Sequence, residues 1–188
     1  WHMMKGRTRE AREAFERALA LDPHFGRAHY GLGYLLLHGL GNADAAIEPL
    51  KHAIQLEPDS AEIHNTLGAA HLQKGAWDEA KAAFQKALSL RADYPAAQSN
   101  LGIACVQLSA LDEARAAFLK ASELAPRDPE VHNNLGNLYG MRGQNAEALR
   151  EFEASIAIAP ENGQTQYWAG CLYRLLGRRD DAIAALER

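Results

Sequence analysis

Only two cysteines, Cys105 and Cys171, occur in the 188 residues, which excludes a disulfide framework. Long apolar runs are also missing. The longest, Leu35 to Leu37 with Leu40 nearby, falls far short of the roughly 18 residues of a membrane span. It is too short for a signal-peptide core as well, and no basic segment precedes it. No charge of one sign dominates: 20 basic residues stand against 24 acidic ones, for a net charge of −4 and a pI near 6.1. That leaves no surplus for a phosphate backbone and disfavours a nucleic-acid partner. What remains is 47% hydrophobic and 23% charged, an ordinary globular composition of a size for one domain or two.

What the chain does have is an internal repeat. Leu32-Gly33, Leu67-Gly68, Leu101-Gly102, Leu135-Gly136 and Ala169-Gly170 recur with the glycines 35, 34, 34 and 34 residues apart. Ala11, Ala46, Ala80, Ala114, Ala148 and Ala182 keep the same step, each followed four residues later by Phe15, Leu50, Phe84, Phe118, Phe152 or Leu186. Units close on Pro23, Pro58, Pro126 or Pro160, with Ala92 the exception. A fixed period of this length marks a stacked-repeat architecture.

At these residues the chain resembles the tetratricopeptide repeat family, whose 34-residue unit reads W-x2-L-G-x2-Y…A-x3-F…P. With the glycine as position eight, complete units span 26–60, 61–94, 95–128 and 129–162. A truncated unit covers 163–188, residues 5–25 match the second half of a unit, and 1–4 read as leftover expression or processing residues. Position four is nowhere tryptophan; it holds His29, His64, Gln98, His132 and Gln166. Pentatricopeptide repeats have a nearby period, but the missing basic excess and the Leu-Gly, Ala and Pro positions argue against them.

The residues carry the same message without the family name. Apolar residues three and four apart mark two amphipathic helices per unit. Leu101, Ala104, Cys105 and Leu108 lie on the first helix of the unit 95–128, and Leu111, Ala114, Phe118 and Leu124 on the second. Small residues let neighbouring helices approach. Gly6, Gly41, Gly75, Gly143 and Gly177 suit positive φ in the turns between helices. One helix pair cannot bury its own apolar face, so stacking supplies the core. The expected fold is all-α: a right-handed superhelical solenoid of antiparallel helix pairs. Helices are expected near 7–21, 25–38, 44–56, 61–74, 77–90, 95–108, 111–124, 129–142, 145–158, 163–176 and 179–187.

Two irregularities stand out. The unit 26–60 has one extra residue, expected in a looser turn within His38 to Asn42, and Pro49 inside its second helix predicts a late start or a kink. At the two ends no polar capping helix closes the stack, so the chain reads as part of a longer array. Phe15, Leu19, Ile183 and Leu186 are expected to lack a covering helix and to promote self-association.

Candidate chemistry is sparse. Asp78-Glu79, Asp112-Glu113 and Asp180-Asp181 are paired carboxylates, but they recur at one repeat position, a helix start, where negative charge favours the dipole. His29, His64 and His132 lie a repeat or more apart, and His64 and His71 are seven apart, not the four of a helical zinc pair. The stretch from Lys5 to Arg17 also holds Glu10, Glu13 and Glu16 and reads as a solvated helix face. Cys105 sits at a packing position and Cys171 beside the groove glycine. No catalytic, metal or cofactor motif emerges, and the reading is a non-enzyme.

The resemblance implies that first helices line a concave groove through positions two, five, six, nine, twelve and thirteen. Transferred, these place Tyr30 and Tyr34, then Asn65, then Asn100, then Asn133, Asn134 and Asn137, then Tyr167 and Trp168 in the groove. Asn both donates and accepts, which suits an extended peptide backbone, while Tyr and Trp are frequent interface anchors. Position five carries no lysine, so the carboxylate clamp of heat-shock co-chaperones is excluded. Asn100 and Asn134 resemble the asparagine ladder of O-GlcNAc transferase arrays, which Gly31, Thr66 and Trp168 interrupt. The expected function is a protein- or peptide-binding assembly module. Two alternatives are the substrate-recruiting region of a larger enzyme such as a glycosyltransferase, and a self-associating scaffold. No cofactor, nucleic acid or membrane insertion is expected; the protein reads as soluble, with the cytoplasm favoured.

Overall fold

A computed structural model describes the backbone of residues 2–186 and the side chains of residues 7–185. Trp1 and residues 187–188 therefore lie outside it, as does the side chain of Leu186. Among the described residues there are eleven α-helices and no strand: α1 His2–Leu21, α2 Gly26–Tyr34, α3 Ala43–Leu56, α4 Ala61–Lys74, α5 Trp77–Leu90, α6 Pro95–Gln107, α7 Leu111–Leu124, α8 Pro129–Met141, α9 Asn145–Ile158, α10 Gly163–Leu175 and α11 Arg179–Leu186. Short turns join consecutive helices, so each pair runs antiparallel. Two compact units result, one through Asp93 and one from Tyr94.

Local chemistry sets the helix ends. Asn42, Ser60, Asp128 and Asn162 cap their helices by accepting a bond from a first-turn N–H. Pro95 and Pro129 occupy the first turn, where the missing N–H costs nothing. In four of the pairs the turn closes in one way. Ala76 N–H donates to the His71 carbonyl at 2.9 Å, Ala110 to Cys105 at 2.9 Å, Gln144 to Tyr139 at 3.0 Å and Arg178 to Tyr173 at 2.8 Å. This closure needs one left-handed residue. Gly41, Gly75, Gly143 and Gly177 supply it with φ between 63° and 80°, and Ser109 does so at φ 59°.

Three expectations are corrected. Gly6 lies within α1, which begins at His2 rather than near residue 7; residues 2–6 hold no proline, and one glycine weakens a helix without ending it. The extra residue of the unit 26–60 does not loosen the turn: Gly33 to Gly41 counts eight residues where Gly68 to Gly75 counts seven, and a π-helical segment, Leu35–Gly39, absorbs the surplus. The closing bond there correspondingly runs one residue further, from Asn42 N–H to the Leu36 carbonyl at 2.8 Å. Pro49 does not delay α3, which starts at Ala43 under the Asn42 cap and continues past the proline to Leu56.

Each unit has its own core. The first is built on Leu36, Leu37, Ile47, Leu50 and Ile63, with Phe84 also fully buried. The second is built on Cys105, Phe118, Leu135, Leu138, Phe152 and Leu172. Neither cysteine forms a disulfide; Cys105 is buried and Cys171 half-buried. The glycine and aromatic series meet in these cores. A Cβ on Gly68, Gly102 or Gly136 would stand 2.6, 2.5 or 2.7 Å from the ring of Phe84, Phe118 or Phe152.

Candidate functional site

Position four has a structural task that the sequence reading missed. Its ring or amide nitrogen donates to the carbonyl of the proline six residues earlier: His29 to Pro23 at 2.9 Å, His64 to Pro58 at 2.9 Å, His132 to Pro126 at 3.1 Å, and Gln166 to Pro160. Proline six residues before His or Gln was the available signal, and Gln98 departs from it together with Ala92. These side chains tie the loop between units to the helix that follows.

His132 does more. Its Nδ1 lies 2.8 Å from Glu151 Oε2, so both ring nitrogens face acceptors and both must carry protons. Burial opposes the charge, but the Glu151 hydrogen bond, the Pro126 carbonyl and the charges of Glu151 and Asp128 outweigh it and raise the His132 pKa. His71 is the opposite case. Burial, with Lys51 and Lys74 nearby, lowers its pKa, and its buried Nδ1 has no hydrogen-bond partner among the described residues. Counting from the repeat alanines Ala46 and Ala148 places Lys51 where the other unit has Glu153. There Tyr173 donates to Glu153 at 2.7 Å, and burial followed by that carboxylate pushes its hydroxyl up to about 12.

The paired carboxylates sit in first turns of α5, α7 and α11. Asp112 is held below the usual carboxylate range by its hydrogen bond to Arg142, and Asp181 pairs with Arg178 at 2.8 Å. On α1, Arg9–Glu13 and Arg12–Glu16 form exposed i,i+4 pairs. Among the described residues no group of three or more His, Cys, Asp and Glu could hold a metal ion, and no helix is long and apolar enough to cross a membrane.

The first-helix face of each unit has its own character. In the first, Tyr30 and Tyr34 meet edge to face at 6.1 Å between centroids, and Tyr34 lies 4.4 Å from His38. Tyr34 is exposed and Tyr30 half-buried. Gly31 holds position six because a Cβ there would stand 2.5 Å from the Phe15 ring. On α4, Asn65 is half-buried, while buried Thr66 donates to the Glu62 carbonyl at 2.9 Å.

In the second unit Asn100, Asn133 and Asn134 are half-buried and Asn137 is exposed. Asn134 Nδ2 donates to Ser99 Oγ at 3.3 Å, and Asn133 Oδ1 accepts from Thr165 Oγ1 at 3.0 Å, so neighbouring first helices are linked through this face. Tyr167 and Trp168 are 51% and 44% exposed and pack edge to face at 5.4 Å. Beside them a cavity of about 380 Å³ opens between α8, α9 and α10. Charge is sparse among the groups just described, and their chemistry is that of amides and aromatic rings.

PilF of Pseudomonas aeruginosa superposes with a TM-score of 0.84 at 20% identity, over 98% of this chain and 83% of that one. PilW, a type IV pilus biogenesis factor, gives 0.84 at 24%, over 98% and 86%. YrrB, described as a repeat protein with an unusual peptide-binding site, gives 0.72 at 25%, over 94% and 91%. No curated protein matches the sequence significantly. Family models for the tetratricopeptide repeat match residues 2–61, 39–95, 71–138, 129–162 and 164–188. With helix pairs, turn closure and glycine–aromatic contacts all recurring at that period, the chain belongs to the tetratricopeptide repeat family.

Proposed function

We propose that this protein is a non-catalytic interaction module that holds an extended, mostly uncharged segment of a partner protein along its first helices. The observation carrying this reading is the second unit's face, where Asn100, Asn133, Asn134 and Asn137 lead to Tyr167 and Trp168, two aromatics left in water. Exposed aromatic groups beside hydrogen-bonding amides are characteristic of binding surfaces. Amides satisfy an extended backbone at both N–H and C=O, and rigid aromatics supply area at low entropic cost. Tyr30, Tyr34 and Asn65 play the same part on the first unit. The likeness to YrrB, itself described by its peptide-binding site, supports the reading.

Selection of a displayed random-peptide library on the immobilised protein tests it. Enriched peptides are expected to bind wild-type protein and to lose affinity when Asn100→Ala and Asn134→Ala are combined. Failure to enrich any sequence, or enrichment indifferent to both changes, would refute it.

A further inference from the structure

Two glycines of α8 differ in what they leave room for. Gly136 must be glycine, because Phe152 fills the space of its side chain. One turn on, Gly140 faces nothing within 4 Å, and its φ is not positive. A glycine inside a helix lowers helix stability, so an empty position with no turn to make calls for another reason. The corresponding positions of the preceding first helices hold Leu37, Leu72 and Val106. Omitting that aliphatic side chain at Gly140 opens the cavity of about 380 Å³.

Its surroundings are apolar and wet at once. Trp168 and Leu175 of α10 and Met141 of α8 line it while remaining 44%, 68% and 61% exposed. Apolar side chains left in water around a cavity mark a place that a partner covers. Trp168 is braced edge-on by Tyr167. Asn137 and Asn145 stand in the lining, their side chains without a hydrogen bond among the described residues. Arg174, outside the lining itself but exposed on α10 between the lining residues Cys171 and Leu175, forms no ion pair among the described residues.

We infer that this cavity is a socket for one apolar side chain of a bound extended segment, Leu, Met or Phe, with an Asp or Glu next to it held by Arg174. The socket rests on the proposed peptide-binding function and adds its specificity. Asn137 and Asn145 take the peptide groups on either side of the anchor, and Arg174 supplies the charge complementarity that selects an acidic neighbour.

The test uses the whole chain and fluorescent eight-residue peptides, acetylated and amidated, of Ser, Thr and Gln with a central Leu-Asp. Anisotropy is expected to show binding that falls at least tenfold when Leu is replaced by Ser. Replacing Asp by Lys should weaken it severalfold, and Arg174→Glu should reverse that preference. Gly140→Leu fills the socket and is expected to abolish binding while circular dichroism and melting temperature hold or improve; Gly140→Ala, the smaller change, should give a partial loss. Unchanged affinity in Gly140→Leu would overturn the socket. So would peptides that bind regardless of Leu and Asp yet weaken in the Asn100→Ala, Asn134→Ala protein, an outcome that leaves the broader function standing. Dimerisation that Gly140→Leu abolishes would make a second copy the occupant and refute the proposal.

Discussion

Phe152 covers Gly136 so closely that a Cβ on the glycine would stand 2.7 Å from the ring. Phe152 is 4% exposed and belongs to the second unit's core, so it has little room to retreat. Gly136→Ala is therefore expected to destabilise the protein by about 1–3 kcal/mol through overpacking. Gly140→Ala, in the same helix but facing open space, is expected to stabilise it by about 0.5–1 kcal/mol. Denaturant unfolding of the two variants should move the midpoint in opposite directions. Equal effects would show that the ring does not dictate the glycine.

The same physics singles out Ser109. At φ 59° it occupies the left-handed position that glycine fills in four other turns. An L-residue there is strained by roughly 1–2 kcal/mol, partly offset by the greater freedom of glycine when unfolded. Ser109→Gly is expected to gain up to about 1 kcal/mol, read as a higher melting temperature. A lower one would mean that the serine side chain contributes more than its backbone costs.

Two histidines should give stability a maximum near neutral pH. His132 has a raised folded pKa, so its contribution is complete below the unfolded value of about 6.5 and is lost as pH rises through the folded value. His71 has a lowered one, so the unfolded chain takes up its proton first and stability falls as pH drops below about 6.5 through the folded value. His132→Gln keeps a donor for the Pro126 carbonyl, as Gln166 does for Pro160, and is expected to remove only the alkaline slope. Melting curves from pH 5 to 9 check this. An alkaline slope that persists in the variant would assign it to another group.

Much of this was written in the chain. Gly68 and Phe84, Gly102 and Phe118, and Gly136 and Phe152 are each sixteen residues apart, and that spacing is visible before any coordinates. It fixed the fold because one close contact, repeated, sets how each helix pair packs. The π segment was less legible: a surplus residue can be accommodated in a turn or in a helix, and the choice follows from which carbonyl, here Leu36, closes the turn. His132 and Glu151 were invisible as a pair, since nineteen residues and a turn separate them and only the packing of α8 on α9 brings them together. Nor could spacing alone show that Asn134 Nδ2 donates one bond to Ser99 Oγ.

Affinity of a selected peptide for the Asn100→Ala, Asn134→Ala protein is the most direct test of binding along the first helices. Each amide contact is worth about 0.5–1.5 kcal/mol, so the pair should cost roughly five- to a hundredfold in Kd, with the melting profile retaining its cooperativity. The control reverses charge on the second helices, at exposed Lys120 and Arg150, and should leave affinity unchanged. Full affinity in the double variant, with loss on reversing Lys120 and Arg150, would place the partner on the opposite face.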